Sequence, residues 1–350
     1  MGWTVWHDRL HRRLLRQPHW LPQGGRLLLA LSGGQDSMAL LALLRDLQPL
    51  HRWQLHLWHG DHGWQAGSSR IAADLQAWCC AEGLDLAVER VTVTRAALES
   101  PERSEAGARA WRYGALAAEA ERLNALHPQS PCCAVITAHT ASDRAETLLL
   151  QLARGTDLAG LGGQRSQRPL KSDGELPLVR PLVDFSRTDT ATICQELALP
   201  VWQDPSNNDP SYGRNRIRAE VLPVLESLHP GCTERLANLA DRMAGLQDSQ
   251  SELMDLALQG LVGLDAGPAP QARRRLPRRP LASQPEPVRR NLLAHWLRRN
   301  GAPAVTAACL AELAQAIRPG AAAAGRDLPA GWRIHWNAGS VQLEQRNVSP

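Results

Sequence analysis

Residues 26–37 read Arg-Leu-Leu-Leu-Ala-Leu-Ser-Gly-Gly-Gln-Asp-Ser, and this stretch decides the fold. Its apolar part, 26–31, predicts a buried strand, and a helical pattern begins at once over 38–47. A strand, a glycine turn and a helix N-terminus in this order favour phosphate binding. The reason is that unpaired backbone N–H groups and the positive end of the helix dipole converge on one point.

The side chains of the turn fit that interpretation. Gly33 and Gly34 allow a close backbone approach that a side chain would block. Ser32 and Ser37 can add hydroxyl donors. Asp36 is an acid beside the predicted phosphates, which makes sense when a cation such as magnesium lies between them.

This turn differs from the Walker A loop, which requires Gly-x-x-x-x-Gly-Lys-Ser/Thr. The only lysine of the chain is Lys171, far from the turn. The stretch 32–37 resembles instead the Ser-Gly-Gly-x-Asp-Ser signature of the PP-loop ATP pyrophosphatases. In that family ATP is cleaved to AMP and pyrophosphate, and adenylation activates an oxygen of the substrate. The structural alternative is an ordinary strand–helix turn.

Strands and helices are predicted to alternate through the first two hundred residues. The predicted strands are 26–31, 54–58, 86–93 and 133–138, with a weaker one near 176–182, and the predicted helices are 38–47, 68–82, 103–125, 143–153 and 187–198. This alternation predicts a doubly wound α/β fold with a mostly parallel sheet. Ligands of such sheets bind beyond the carboxyl ends of the strands.

The pattern becomes mainly helical after residue 213. Helices are expected over 214–228, 231–262, 288–299 and 305–318, with a Pro/Gly/Arg-rich linker over 263–287 and a terminal hairpin over 332–344. We therefore predict a catalytic domain over 1–213, a helical linker segment over 214–262, and a small Arg-rich domain over 263–350.

Charge and cysteine usage narrow the class of protein. The net charge of the 350 residues is only +4, but nine arginines crowd one C-terminal stretch. They are Arg273, Arg274, Arg275, Arg278, Arg279, Arg289, Arg290, Arg298 and Arg299. Such a cluster is typical of a nucleic-acid surface, although a solvated basic linker explains the charge equally well. The seven cysteines show no C-x-x-C spacing, which indicates a reducing compartment. No segment is apolar enough for a signal peptide or a membrane span, so we expect a cytoplasmic protein with no membrane partner.

Two further groups of polar residues follow predicted strands. Residues 59–64 read His-Gly-Asp-His-Gly-Trp, which suits an adenosine edge or a magnesium relay, or else a satisfied surface turn. Asp143 and Glu146 follow the fourth strand and share one face of a helical turn. His139 lies four residues before Asp143, at the end of that strand. Two carboxylates there suit an ammonium group or a metal ion, and the alternative is a helix-capping box.

A third group lies on the predicted helix 103–125. Glu105, Arg109 and Arg112 are spaced to fall on one helix face. An exposed i,i+4 ion pair explains this spacing, and so does an arginine pair that faces a triphosphate, pyrophosphate or RNA.

Taken in order, these motifs resemble the tRNA(Ile)-lysidine synthase family over about residues 1–220, in its shorter form. The set comprises Ser-Gly-Gly-x-Asp-Ser at 32–37, Asp-His-Gly at 61–63, Glu-x-x-x-Arg-x-x-Arg-Tyr at 105–113, Thr-Ala-His-x-x-x-Asp-x-x-Glu-Thr at 137–147, Arg-Gly-x-x-Leu-x-Gly-Leu at 154–161, Arg-Pro-Leu at 180–182, Asp-x-Ser-Asn at 204–207 and Arg-Asn-x-Ile-Arg at 214–218. One departure is the Gly-Trp-Gln at 63–65, which follows His62, whereas His-x-x-His-x-Leu-Arg is common in the family near the second strand.

The resemblance implies a reaction. ATP and magnesium bind at 32–37, the C2 oxygen of the wobble cytidine in a CAU-anticodon isoleucine tRNA is adenylated, and free L-lysine displaces AMP to form lysidine. It implies ATP contacts from Ser32, Gly33, Gly34, Gln35, Asp36 and Ser37, magnesium on Asp36, and lysine on Asp143 and Glu146. It also implies that Arg109, Arg112, Arg214 and Arg218 neutralise phosphate or the adenylate, with His139 as a candidate proton acceptor. With a tRNA as substrate, the helical segment 214–262 is either a linker or a tRNA-binding segment.

Several readings stay open from the sequence. The oligomeric state is one of them, with a homodimer as one expectation. The alternatives to the lysidine reaction are another PP-loop tRNA-modifying enzyme, such as a 2-thiolating one, and a nucleotide- or RNA-binding module without turnover.

Overall fold

A computed structural model describes residues 2–61, 63, 67–91, 105–156, 158–171, 174–203, 209–262 and 274–346. The chain forms two compact units, Met1–Ala244 and Gly245–Pro350. The division that the sequence predicts, at residues 213 and 262, stays a prediction. Within the described ranges, no helix combines the length and the apolar character that crossing a membrane requires.

The first unit is built on a six-stranded sheet. Its strands are β1 (Arg26–Ala30), β2 (Gln54–Asp61), β3 (Leu86–Arg90), β4 (Cys132–Ile136), β5 (Gln167–Pro169) and β6 (Pro177–Val179). Their order is β3-β2-β1-β4-β6-β5, and only β5 runs antiparallel to its neighbour. The strand order reverses at β1, which has β2 on one side and β4 on the other. The predicted doubly wound sheet is confirmed, with the glycine turn at its topological switch point.

Helices cover both faces of this sheet. They are α1 (Val5–Arg16), α2 (Gln35–His51), α3 (Ser68–Ala81), α4 (Glu105–Leu126), α5 (Ala141–Arg154), α6 (Leu158–Leu161) and α7 (Arg187–Glu196). Leu27 and Leu29 pack into the core shared with α1, α2, α3 and α7, whereas Leu28 packs into the core shared with α4. Burial on both faces explains why β1 is a continuous apolar run rather than an alternating one.

The predicted helix 214–228 is present but irregular. It consists of α8 (Gly213–Arg216), a π-helical turn (Ile217–Val221) and α9 (Leu222–Leu228), and α10 (Cys232–Val262) follows. A π-helical turn widens the helix locally, and such turns occur frequently at functional sites. Arg218 lies within it.

The second unit combines helices with an antiparallel sheet. Its elements are β7 (Arg275–Pro277), α11 (Arg278–Ala282), α12 (Glu286–Arg299), α13 (Ala307–Ala316), β8 (Ala324–Asp327), β9 (Trp332–Trp336) and β10 (Ser340–Gln345). The strand order is β7-β10-β9-β8, so the predicted terminal hairpin is confirmed as β9–β10. The predicted linker is wrong over 274–287, because Leu276 and Leu281 are buried in the core of this unit and hold β7 and α11 in place.

Candidate active site

The glycine turn between β1 and α2 presents backbone donors at the start of the helix. Gly33 has a φ of +79°, a left-handed conformation that glycine adopts without strain. Gly34 is the N-cap of α2, and its carbonyl accepts the N–H of Met38 at 3.0 Å. The N–H groups of 35–37 precede this bond and have no carbonyl partner within the helix. They form the anion-binding end of the helix.

The hydroxyls of the turn hold its shape. Ser32 Oγ donates to Ser37 Oγ at 3.0 Å, and Ser37 Oγ donates to the Gly34 carbonyl at 2.8 Å. Gln35 points its side chain elsewhere, since its amide donates to the Arg187 carbonyl at 2.6 Å and to Thr190 Oγ1 at 2.8 Å. The Gln35 side chain therefore fastens α7 to the turn, which leaves its backbone N–H for a nucleotide.

Asp36 sits in the first turn of α2 with its carboxylate 18% exposed. Thr190 Oγ1 donates a hydrogen bond to it, and Arg187 Nη1 lies 3.8 Å away. Burial, and then the charge of Asp143, raise the pKa of Asp36 to about 6. Two carboxylates that disfavour each other's charge suit a divalent cation, which in proteins commonly takes one or two carboxylates together with substrate phosphates. The residues at this position therefore fit magnesium.

The capping alternative for Asp143 and Glu146 is resolved by where α5 begins. Its N-cap is Thr140, and Asp143 Oδ2 accepts the Thr140 N–H at 2.8 Å and Thr140 Oγ1 at 3.0 Å. The capping box thus pairs Thr140 with Asp143, and Glu146 takes no part in it. Asp143 both caps the helix and presents a 15% exposed carboxylate to the site.

Glu146 is fully buried and held by arginine. Arg218 donates from Nε to Glu146 Oε1 at 2.6 Å and from Nη2 to Oε2 at 2.9 Å, and Arg214 Nε lies 3.6 Å from Oε2. Arg218 also lies 3.6 Å from Asp143 Oδ1. Burial raises the pKa of Glu146 against the opposing effect of Arg218. The two acids are adjacent as expected, but an arginine of the chain itself occupies the position expected for an ammonium group.

His139 follows β4 and is hydrogen-bonded through Nδ1. Thr137 Oγ1 lies 3.0 Å from this nitrogen, and Arg180 Nε donates to it at 3.4 Å. Burial, and then the charge of Arg180, hold the pKa of His139 well below its usual range. Because arginine has no acceptor, Nδ1 must accept, and the proton of the neutral ring is assigned to Nε2. His139 therefore offers a hydrogen-bond donor at Nε2, and its accepting nitrogen is already engaged.

His59 and Asp61, at the end of β2, each have hydrogen-bond partners within the described residues. His59 is buried, with Nδ1 2.8 Å from the Leu31 carbonyl, and Asp61 accepts from Gly63 N–H and Ser69 Oγ, both at 2.9 Å. Burial alone would raise the pKa of Asp61. Hydrogen bonds, chiefly the one from Ser68, outweigh burial and lower that pKa. His62 lies outside the described residues. Across the part of the chain that the structure describes, no group of three or more His, Cys, Asp or Glu is arranged to hold a metal ion.

The arginines of α4 flank the same rim. The Arg109 guanidinium lies 5.4 Å from the centre of the Tyr113 ring, and its charge lowers the pKa of His139 as a minor cause after burial and Arg180. Arg112 contributes likewise to the low pKa of His59, behind burial as the main cause. The side chain of Glu105 lies outside the described residues, so the predicted Glu105–Arg109 pair stays a prediction.

The C-terminal arginines divide into structural and surface residues. Arg278 donates to the carbonyls of Asn337 and Ala321, and Arg289 donates to those of Ala314 and Ala282. Both are buried, so the interpretation of the whole cluster as a nucleic-acid surface is wrong for these two. Within the candidate set, Arg275 is exposed, Arg274 lies 5.0 Å over the Trp332 ring, and Arg273 falls outside the described residues.

The sequence reasoning missed the contribution of α7. Arg187 and Thr190 both contact the carboxylate of Asp36. Ser186 and Asp189 form a capping box that marks the start of α7. That signal predicts the helix, but it carries no information about which turn the helix packs against.

Comparisons with known proteins find relatives for both parts of the chain. Residues 8–225 match the model of a PP-loop domain, and residues 276–347 match that of a TilS substrate binding domain. A tRNA(Ile)-lysidine synthase from Parasynechococcus marenigrum is 53% identical, over 98% of this chain and 96% of its own. One from a strain of Prochlorococcus marinus is 42% identical, over 97% of this chain and 96% of its own.

A solved structure supports the fold. The U34-tRNA thiolase NcsA from Methanococcus maripaludis superposes with a TM-score of 0.51 at 15% identity, covering 68% of this chain and 77% of that one. At this identity the likeness concerns the fold alone. The two family models and the relatives that match over nearly the whole length place the chain in the tRNA(Ile)-lysidine synthase family.

Proposed function

We propose that this protein converts the wobble cytidine of a CAU-anticodon isoleucine tRNA to lysidine, with ATP as the activating substrate and free L-lysine as the amine. The observation that carries the proposal is the position of Asp36. It lies on the glycine turn at the sheet's switch point, close enough to Asp143 for that charge to raise its pKa. A phosphate site and an acid site therefore meet at one rim, as adenylation followed by amine attack requires.

In the first step, the N–H groups of 35–37 bind the phosphates of ATP, and Ser32 and Ser37 hold the turn in shape. The cytosine C2 oxygen attacks the α-phosphorus, and pyrophosphate leaves toward the helix N-terminus, where the donors face its developing charge. Asp36, with Asp143 nearby, would hold magnesium. Bound there, magnesium would neutralise phosphate charge.

In the second step, the unprotonated ε-amine of lysine attacks C2, the bond between C2 and the adenylated oxygen breaks, and AMP leaves with that oxygen. The proton that the amine loses goes to the departing phosphate or to solvent. Asp143 is the acid that a lysine ammonium can reach, because its carboxylate is 15% exposed while that of Glu146 is fully buried. Glu146 acts on the same site by holding Arg218 through two hydrogen bonds. We thus assign lysine binding to the Asp143–Glu146 pair, with Asp143 in contact and Glu146 as the positioning residue.

The other site residues stabilise charge. Arg109, Arg112 and Arg214 face the anionic groups of ATP or the adenylate. His139 donates from Nε2 to the polar groups of the cytosine or the adenylate, so we replace the expected role of proton acceptor by that of hydrogen-bond donor.

The surroundings of the reaction are also proposed. Arg274 and Arg275 contact the tRNA backbone. The protein works in the cytoplasm, where the reducing conditions suit its seven cysteines, none of which forms a disulfide. A homodimer is compatible with the proposal and is not needed for the site.

A 2-thiolation reaction is less well supported than the lysidine reaction. Burial, followed by the charge of Asp36, raises the pKa of Cys194, the cysteine beside the turn, to about 11.

The test is a reconstituted reaction. Purified protein with ATP, magnesium, L-lysine and the CAU isoleucine tRNA should release pyrophosphate and AMP and increase the mass of the tRNA by one lysine residue. Asp36→Ala should abolish pyrophosphate release. Formation of ADP, or an unmodified tRNA alongside a folded and ATP-binding protein, would refute the proposal.

A further inference from the structure

Three guanidinium groups surround one phenol beside His139. Arg109 approaches Tyr113 from the same helix, with its guanidinium carbon 5.4 Å from the ring centre, and Arg168 approaches from β5 at 4.7 Å. Arg180, which follows β6, interacts with the Tyr113 hydroxyl and also donates to His139. Residues from α4, β5 and the end of β6 thus meet at a single side chain.

Among the side chains that the structure describes, no acid pairs with these three guanidinium groups. Arg168 donates to the carbonyls of Pro169 and Leu170, and Arg180 donates to that of Arg165. Carbonyls fix the guanidinium groups in place without cancelling their charge. In contrast to Arg218 and Arg187, none of the three makes an ion pair with a carboxylate within the described ranges.

Holding these charges together is unfavourable in the absence of an anion. Arg180 is only 1% exposed, and burial lowers its pKa to about 10. Placing further guanidinium groups near a buried one costs free energy that an anionic ligand would offset. Arginine is also well matched to phosphate, because its planar fork binds two oxygens at once.

We propose that Arg109, Arg168 and Arg180 form, around Tyr113, a binding site for a phosphate group of the substrates. The identity of the phosphate's carrier rests on the proposed function, and it is either ATP or the tRNA backbone. The Tyr113 hydroxyl donates to the bound phosphate, and in the ligand-free protein above about pH 8 its ionised form is the counter-charge of the arginines.

Phosphate binding and ionisation of the phenol therefore compete. Burial opposes ionisation of Tyr113, but the charges of Arg109, Arg180 and Arg168 outweigh it and lower the pKa to about 8. Among the described residues, the charged groups that act on the phenol are these three; Arg180 also contacts His139, whose pKa the charge of Asp143 raises against the larger effects of burial and Arg180. A bound phosphate would offset the three positive charges and raise the pKa of Tyr113, with uptake of a proton from solvent.

The chain permits a direct measurement, because it contains only two tyrosines, Tyr113 and Tyr212. In a Tyr212→Phe protein, the near-ultraviolet absorbance of tyrosinate reports Tyr113 alone. We expect an ionisation midpoint near 8 that moves upward when inorganic pyrophosphate is added. A midpoint near the ordinary value of about 10, or one that pyrophosphate leaves in place, would overturn the proposal.

A binding experiment identifies the carrier. Arg168→Gln should weaken the binding of one substrate by about tenfold to a hundredfold, the range for a lost hydrogen bond to a charged group. A loss confined to ATP assigns the phosphate to ATP, and a loss confined to tRNA assigns it to the tRNA backbone. Arg122→Gln is the matched control, since Arg122 is an exposed arginine of α4 paired with Glu119.

These readouts are independent of turnover. Unchanged affinity of Arg168→Gln for both substrates would overturn the phosphate site even if the unsubstituted protein makes lysidine. Conversely, a failed lysidine reaction with an intact pyrophosphate effect on Tyr113 would refute the proposed function and leave the phosphate site standing.

Discussion

Replacing Asp36 by asparagine should stabilise the folded protein at neutral pH. The carboxylate is largely buried, and burial followed by the charge of Asp143 raises its pKa from 3.8 to about 6. Between these values the folded state holds a proton that the unfolded state has lost, so stability falls as the pH rises through this window. A shift of about two units corresponds to roughly 3 kcal/mol in the free energy of unfolding.

The assay is urea unfolding of the unsubstituted protein and of Asp36→Asn at about pH 8 and about pH 4, each followed by circular dichroism. Asparagine keeps an oxygen that can accept the hydrogen bond of Thr190, so the substitution removes the charge and little else. We expect a gain of about 2–3 kcal/mol at the higher pH and almost none at the lower one.

Asp74→Asn is the control, because Asp74 is an exposed acid in an i,i+4 pair with Arg70. Its stability should change by less than about 0.5 kcal/mol at either pH. If Asp36→Asn proves less stable than the unsubstituted protein at about pH 8, the carboxylate is not held in an unfavourable charged state and the reasoning fails. The same variant should lose pyrophosphate release, the expected exchange of activity for stability at a strained site.

Three further changes test other parts of the structure. Arg218→Gln should destabilise by about 3 kcal/mol in urea unfolding, because it removes both hydrogen bonds to the buried Glu146 and leaves only Arg214, at 3.6 Å, to offset its charge. Glu146→Gln should cost clearly less, and equal losses would contradict this. Gly60→Ala should lower the melting temperature by several degrees, since a Cβ would lie 2.5 Å from a tryptophan ring, and an unchanged value would contradict that packing. Replacing Arg274 and Arg275 by Gln should weaken tRNA binding and flatten its salt dependence, whereas an unchanged slope would remove them from the interface.

The sheet and the phosphate turn were predictable because their signals are local. A short apolar run such as 26–31 that ends in a glycine turn predicts a buried strand, and Gly33 and Gly34 define the turn within a few residues. The linker prediction was wrong over 274–287 because it, too, used only local composition. Composition there is typical of a linker, but the burial of Leu276 and Leu281 depends on contacts with residues far along the chain.

The sequence predicted which residues lie in the site more readily than what each of them does there. Asp36, His139, Asp143 and Glu146 all lie on the rim that the strand order predicts. Their partners, however, come from distant segments, as in the contact between Thr190 and Asp36. A sequence pattern that marks a helix does not state which strand end the helix will pack against.

The difference between Asp143 and Glu146 shows how much such partners decide. The two acids are three residues apart on one helical turn, and spacing alone gives them equal access to an ammonium group. Helix α5 has Thr140 as its N-cap, so Asp143 caps the helix at the rim. Glu146 is buried and accepts hydrogen bonds from Arg218, which lies in the π-helical turn. Lysine entering this site would therefore meet a pair whose buried member is already neutralised. Any closer approach to Glu146 requires Arg218 to move, and Arg218 lies in a π-helical turn, a feature that occurs frequently at functional sites.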